Sequence, residues 1–561
     1  MSSKKIVIVG GVAAGASAAT RARRLNESAH IVVFERGEYI SFANCGLPYH
    51  IGGQIADRGK LLLADPRSLK RTSNIEVHTG CEVLSIDRRT KHVEVLDRRS
   101  GRRWREPYDK LILAPGASPV LPSWSGIDRR NVFVLRDMTD MDRINAVLDK
   151  GEAKRATVIG AGYIGIEMVE ALTERNLEVT LIEQQAQVLP LMDVEMAREV
   201  ARVLRLHGVE VILAASVESL KTDGDRVVAV QLADGREVAT DLLLVSIGVR
   251  PNASLAEEAG LAIGESGAIA VNAQMLTSDA DIYAVGDAGE VIFAVTGEPG
   301  RFPLAGPANR NGRNAGGHAA AGRSFSAAPV AGTSILEVFG LAAGMTGLSA
   351  KGANRCGIPA DVAYAVRGHH VGYYPGAKEI ILKLIYDPES GRILGGQAVG
   401  KAGIDKRIDV IATAIHFRGT VDDLAGLDLA YAPQFGAAKD PIHIAAFVAQ
   451  NKREGLLAEI LPGEEPIGDQ LVDVRSEQEF AAGALPGAIN IPLPDLRQRM
   501  DELDRSRPVM LNCGVGERSY KAARVLMQSG FREVYSLAGG YRLHRDTWKP
   551  PVHSNTRGGA A

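Results

Sequence analysis

The chain runs to 561 residues, 45% hydrophobic and 24% charged, enough to bury the cores of three or four globular domains. With 65 Lys and Arg against 67 Asp and Glu the formal charge is -2, which removes any global field that would draw in nucleic acid or an anionic membrane. No apolar run approaches the roughly 20 residues that span a bilayer. Met1-Ser2-Ser3-Lys4-Lys5 leads straight into an apolar strand, leaving no room for a signal peptide. Four scattered cysteines make neither a disulfide framework nor a metal-ligand spacing, so a reduced, cytoplasmic, metal-free protein is expected.

Taken in order, the apolar run Ile6 to Val9 meets Gly10-Gly11-Val12-Ala13-Ala14-Gly15. An Ala-rich helix pattern follows to about Leu25, then a strand Ile31 to Phe34 ending in Glu35. Gly10 permits a tight turn and Gly15 lets the helix approach the strand, while N-H groups at the helix start can hold a pyrophosphate and Glu35 a ribose hydroxyl. The usual middle glycine is replaced by Val12, but the strand and acid stand where a dinucleotide site needs them.

Next comes Ser41-Phe42-Ala43-Asn44-Cys45-Gly46-Leu47-Pro48-Tyr49, which places a cysteine ten residues past Glu35, beside the nucleotide. No Cys-x-x-Cys or Cys-x4-Cys pair occurs anywhere, so Cys45 can do redox chemistry only as a lone thiolate. The alternative is a structural thiol packed as a small hydrophobe; Cys81 and Cys356 are read that way, without a chemical role.

The unit then recurs. Ala156 to Ile159 leads into Gly160-Ala161-Gly162-Tyr163-Ile164-Gly165, a helix pattern to about Arg175, and strand Glu178 to Ile182 ending in Glu183. An acid there suits a free ribose 2′-hydroxyl and repels a 2′-phosphate, and Gln184 and Gln185 supply no cation, so NADH is favoured over NADPH. The apolar strands before Gly116 and Gly248 are expected where the chain crosses between domains. Thr277 to Asp287 adds a further strand that ends in Gly286-Asp287.

This order resembles the two-dinucleotide-fold flavoprotein disulfide reductases. Ser41 to Tyr49 is similar to the single-cysteine site of their coenzyme A disulfide reductase branch. Pro303 to Arg310 is similar to that branch's loop beneath the flavin, and residues 325–447 to its dimerisation domain. The resemblance implies FAD held by Gly10, Val12, Ala13, Ala14, Gly15, Glu35, Arg36, Ser41, Asn44, Asp287, Pro303, Leu304 and Ala305. It implies a nicotinamide nucleotide on Gly160, Gly162, Tyr163, Ile164, Gly165 and Glu183. It also implies a homodimer in which Tyr431 and Tyr373, with Tyr374 as the alternative to the latter, reach the partner's active site. Coenzyme A contacts are assigned to Arg21, Arg24, Ser41, Asn44, Lys70, Arg71 and Asn309.

Residues 448–466 turn polar and Gly/Pro-punctuated and read as a linker. Beyond it, Leu471 to Arg475, Gly483 to Pro492 and Cys513-Gly514-Val515-Gly516-Glu517-Arg518 closely resemble a rhodanese domain, with Ala484 where a histidine is common. Such a loop turns several N-H groups toward the sulfur, the following helix start adds positive potential, and Arg518 adds a fixed charge, all favouring a thiolate or persulfide at Cys513.

The expected architecture is therefore α/β. Two Rossmann-like domains come first: FAD-binding, 1–113 and 250–324, and NADH-binding, 114–249. An α+β dimerisation domain spans 325–447, an α/β rhodanese domain 467–553, and a disordered tail 554–561. The expected activity is NADH-driven, FAD-dependent reduction of coenzyme A persulfide, polysulfide and coenzyme A disulfide through Cys45, with Cys513 handling persulfide sulfur. The rivals are an NADH oxidase or peroxidase, which leaves the C-terminal module unexplained, and a sulfur carrier or sensor working from Cys513.

Overall fold

The computed structural model describes residues 4–323 and 326–549. It divides into two units, one built from the chain up to Pro190 with Val200–Phe339, the other from Leu191–Glu199 and the chain from Gly340 onward.

The first unit contains two parallel five-stranded sheets of the same plan. In one, Lys5–Val9 is central, between His30–Glu35 and Lys110–Leu113, with Glu76–Thr79 and Ile282–Ala284 at the edges. In the other, Arg155–Ile159 is central, between Glu178–Ile182 and Leu242–Val245, with Glu210–Ile212 and Val132–Phe133 outside. Both faces of such a sheet are covered, which is why its strands read as unbroken apolar runs. Ile6, Ile8, Ile31 and Val33 fill the core on one side of the first sheet, and Val7, Val9, Val32 and Phe34 fill it on the other.

Each half of the first unit also carries a three-stranded antiparallel meander that sequence patterning missed: Cys81–Asp87 with His92–Asp97 and Arg103–Pro107, and Val217–Asp223 with Arg226–Leu232 and Glu237–Ala239. The two crossing segments pair as a ribbon, Ala117–Pro119 against Val249–Pro251, where the glycine-ended strands led the chain out and back. Helix Ala305–Ala321 lies tightly on Ala13–Leu25. A Cβ on Gly312 would stand 2.1 Å from Ala14 O and one on Gly316 2.2 Å from Ala18 O, so the Ala-rich face of the first helix needs glycine opposite it.

In the second unit, strands Leu341–Gly347, Ile393–Gly400, Glu379–Tyr386 and Asp361–Gly368 form an antiparallel array. Helices Ile404–His416 and Pro441–Arg453 pack on it. A second, wholly parallel sheet follows in the order Glu459–Ile460, Val534–Leu537, Val509–Asn512, Gln470–Asp473, Ala488–Asn490. The expected linker 448–466 is corrected here. Asp440 and Pro441 start a capped helix that runs to Arg453, and Glu459–Ile460 already belongs to the C-terminal sheet. The expected tail 554–561 lies outside the described residues.

Candidate active sites

At the first glycine turn, Gly10 has φ +94° and a Cβ there would stand 2.1 Å from Ala114 O; a Cβ on Gly15 would stand 1.8 Å from Gly10 O. The turn therefore admits no side chain and presents bare backbone. Neither Val12 nor Gly162, the residues that precede the two glycine-turn helices, makes a side-chain cap, so no side chain of theirs competes with an anion for the first N-H groups. These features fit a dinucleotide at each turn.

The two acids also do something the sequence reading missed. Glu35 accepts from the N-H groups of Gly11 and Gly37, each at 2.8 Å. Glu183 accepts from Ala161 at 2.7 Å and Gln185 at 2.8 Å. Each carboxylate thus ties its strand end to the glycine turn.

Val12, Glu35, Arg36, Asn44, Ala114 and Arg136 line one groove. Asp287 sits on the short turn Gly286–Ala288 and accepts from Arg136 at 2.9 Å. Gly286 places that turn next to Ala14. Pro303 and Leu304 lead into Ala305, the first residue of the helix that packs on Ala13–Leu25. In the second turn Tyr163 and Ile164 open helix Tyr163–Glu174, with the Tyr163 hydroxyl at Ser334 and Ile164 exposed.

Cys45 lies on the single 3-10 turn Asn44–Gly46, which runs into helix Leu47–Ile51. Ser41, at φ +50°, holds a left-handed conformation that is uncommon away from glycine, and its N-H bonds Gly11 O at 3.0 Å. The cysteine segment is thereby tied to the first glycine turn. Asn44 Oδ1 accepts from the Cys45 N-H at 3.1 Å and stands 3.8 Å from Sγ. Sγ opens to solvent in this single chain. Its surroundings nevertheless desolvate it enough to push the thiol up, the carboxylates of Glu167 and Asp287 add to the rise, and Arg136 opposes it.

Glu167 was not singled out by sequence. It lies on the helix of the second glycine turn and accepts from Tyr49 Oη at 3.0 Å; burial holds its own carboxyl up. Glu167→Gln removes an anion beside Cys45, so the Cys45 pKa falls and the rising limb of the pH-rate profile moves to lower pH. An unmoved limb, measured with a small disulfide or persulfide, would show that Glu167 does not bear on the thiol.

Of the proposed coenzyme A cations, Arg21 and Arg24 lie on one helix with Arg313 beside them on the next. The Arg21 guanidinium is lowered by slight desolvation and by the like charges of Arg313 and Arg24. Such clustering of like charge suits an anionic ligand, and Arg313 escaped the sequence reading because its partners are almost 300 residues away. Ser17 Oγ donates to Asn309 Oδ1 at 2.6 Å on the same helix pair. Lys70 and Arg71 lie on Pro66–Ser73, where they line a separate depression with Arg67 and Glu76.

In the second unit, the Tyr373 and Tyr431 hydroxyls are 3.2 Å apart and both rings are exposed. Tyr374 instead packs edge-on against His370.

Cys513 is 1% exposed at the end of strand Val509–Asn512. One expectation is corrected there. One N-H, that of Gly516, reaches Sγ at 3.1 Å, with Ser519 Oγ at 3.5 Å, rather than several N-H groups. Arg518 donates two 2.7 Å bonds to Glu479, whose carboxyl it pulls down to about 2, and its charge also acts on Cys513. The capping box that starts helix Glu477–Ala481 with Ser476 holds Glu479 in place, a tertiary pairing invisible in the loop's own sequence.

Residues 4–312 match the family described as pyridine nucleotide-disulphide oxidoreductase, residues 334–440 its dimerisation domain, and residues 457–545 the rhodanese-like domain. The structure is similar to reduced CoADR-RHD of Bacillus anthracis, 42% identical with TM-score 0.92, over 97% of this chain and 98% of that one. It is also similar to an NAD-dependent persulfide reductase from A. fulgidus, 40% identical with TM-score 0.91, over 96% and 99%. Among curated relatives, an NADH oxidase of Methanocaldococcus jannaschii is 35% identical, and an NAD(P)H sulfur oxidoreductase (CoA-dependent) of Pyrococcus furiosus 38% identical. Each alignment covers 80% of this chain and 99% of the relative. Among the described residues no helix is long and apolar enough to cross a membrane. The chain belongs to the pyridine nucleotide-disulphide oxidoreductase family, with that family's dimerisation domain and a C-terminal rhodanese-like domain.

Proposed function

We propose that the protein reduces sulfane sulfur in coenzyme A persulfide or polysulfide, and coenzyme A disulfide, at the expense of NADH. The observation that carries this reading is the presence of two unlike sulfur sites in one chain. Cys45 has no partner cysteine and stands tied to a dinucleotide turn, while Cys513 is buried in a loop that donates an N-H to its sulfur. The names of the relatives from Bacillus, A. fulgidus and Pyrococcus support it.

The family's cofactors are FAD and NAD(P)H, and when bound they supply the electron pair. The residues do the rest. Gly10 and Gly160 clear space for backbone contact with phosphate, and Glu35 and Glu183 orient on ribose. Arg21, Arg24 and Arg313 hold the phosphates of coenzyme A. The Cys45 thiolate attacks a sulfur of the substrate, forming a new S-S bond as the old one breaks and expelling a thiolate or hydrosulfide. Arg136 opposes the carboxylates that disfavour this thiolate. In a homodimer, Tyr431 and Tyr373 donate a hydrogen bond to the leaving sulfur of the partner's site. For a persulfide the overall change is RSSH + NADH + H⁺ to RSH + H2S + NAD⁺.

The test is the reoxidation of the reduced full-length enzyme by coenzyme A persulfide, coenzyme A disulfide and oxygen side by side. Persulfide is expected to be fastest. Oxygen outpacing both sulfur substrates would establish the oxidase reading, which the Methanocaldococcus relative's name represents.

The preference for NADH rests on Glu183, whose carboxylate repels a 2′-phosphate. About 1–2 kcal/mol of repulsion in a partly screened site corresponds to roughly 10-fold in kcat/KM. Equal kcat/KM for the two nucleotides would show that Glu183 does not face the ribose.

A further inference from the structure

The rhodanese-like module is held at its own active loop by Arg367 and Glu379 of the dimerisation domain and by Glu199. Arg542, on the short helix Gly540–His544, donates its backbone N-H to Gly514 O, and the preceding Tyr541 donates to Cys513 O. The Arg542 guanidinium then reaches away from the loop. Nη1 and Nη2 each donate to Glu199 at 2.8 Å, and Nε donates to Glu379 at 2.9 Å. From the other side, Glu517 of the loop pairs with Arg367 at 2.6 Å.

Arg367 and Glu379 are not independent points on the surface. They close the two strands whose register pairs Gly368 with Glu379, and the hairpin between those strands carries Tyr373. That hairpin is fastened to the Tyr431 segment by Val371 N-H to Gly436 O at 3.0 Å and by the tyrosine hydroxyl pair. The loop that holds Cys513 and the two tyrosines are thus attached to the same pair of strands. Glu199 is 5% exposed, so its bidentate bond to Arg542 is a buried, specific contact rather than a chance surface pair.

We propose that Arg367 and Arg542 are positioning residues. They fix the Cys513 loop on the base of the Tyr373 hairpin so that sulfur leaving Cys513 passes to a small thiol travelling on to reduction. The inference rests on the reading of Cys45 and Cys513 given above. The route begins with thiosulfate as donor: the Cys513 thiolate takes the sulfane sulfur, the S-S bond of thiosulfate breaks, and sulfite leaves. The coenzyme A thiolate then attacks the outer sulfur of the Cys513 persulfide, forming coenzyme A persulfide and returning the Cys513 thiolate. Reduction by NADH consumes that product.

Three rates in the full-length R367Q/R542Q variant test the proposal: sulfur transfer from thiosulfate to cyanide, NADH oxidation with added coenzyme A persulfide, and NADH oxidation with thiosulfate plus coenzyme A. The first two are expected within 2-fold of wild type and the third at least 10-fold lower, with R367K close to wild type. A coupled rate within 2-fold of wild type overturns the proposal. So does an equal loss of the cyanide reaction, which would mean that the arginines support the loop and not its placement. Small-angle scattering needs no substrate, and an unchanged scattering curve for the double variant also overturns it. A wild-type enzyme that fails with coenzyme A persulfide would instead refute the functional reading, leaving the scattering comparison to decide on the clamp.

Discussion

Cys45→Ser keeps its bound FAD, is reduced by NADH, and then stops. No other cysteine can replace the lost nucleophile: Cys81 is buried in the meander core, Cys356 caps a surface helix, and Cys513 belongs to the other unit. Turnover of coenzyme A disulfide and of persulfide is expected to fall by about 10³-fold or more, the scale seen when an obligatory nucleophile is removed. The substitution exchanges sulfur for oxygen at an exposed position, so folding and cofactor content are expected unchanged. Flavin absorbance at wild-type stoichiometry, together with single-turnover reduction by NADH, separates lost chemistry from lost structure. Sulfur reduction persisting near the wild-type rate would move the active site elsewhere. Cys81→Ser and Cys356→Ser serve as controls and are expected to be nearly silent.

Cys513→Ser is expected to split the two activities. Reduction of added coenzyme A persulfide or disulfide is expected to stay within about 2-fold of wild type, because in the proposed function those substrates go directly to Cys45. Transfer from thiosulfate is expected to be lost almost completely, by roughly 10³-fold, since Cys513 is the sulfur acceptor in the proposed route. Serine fits the space, with the Gly516 N-H and Ser519 hydroxyl as partners for its oxygen, so the module remains folded. NADH consumption with each substrate in turn decides the matter. Equal loss with both would make Cys513 an obligatory relay, and no loss with either would leave the module without a catalytic role.

The two dinucleotide units were legible in sequence because each is local. A strand, a glycine turn, a helix and an acid-ended strand span some 30 residues, and the apolar runs, the turn at Gly10 and the acid at Glu35 all respond to constraints inside that span. The lone cysteine at 45 and the loop at 513–518 were legible for the same reason. The meanders at 81–107 and 217–239 were not, because short, half-exposed antiparallel strands carry a weak alternation. The boundary after 447 was misread because polar residues with Gly and Pro suggest a linker, whereas the helix capped at Asp440 runs on to Arg453 and an edge strand starts at Glu459–Ile460.

By itself, then, the sequence determined where the two glycine turns, the lone Cys45 and the Cys513 loop lie, since those depend on residue type and short spacing. Only the tertiary structure decided how their charges are arranged. It committed Arg518 to Glu479, brought Glu167 to the Cys45 region, gathered Arg313 with Arg21, and set Arg542 between Glu199 and Glu379. Each of these joins residues distant in the chain, and a charge has no sequence signature of its partner. Its effect falls off with distance in space, and only the packed fold sets that distance.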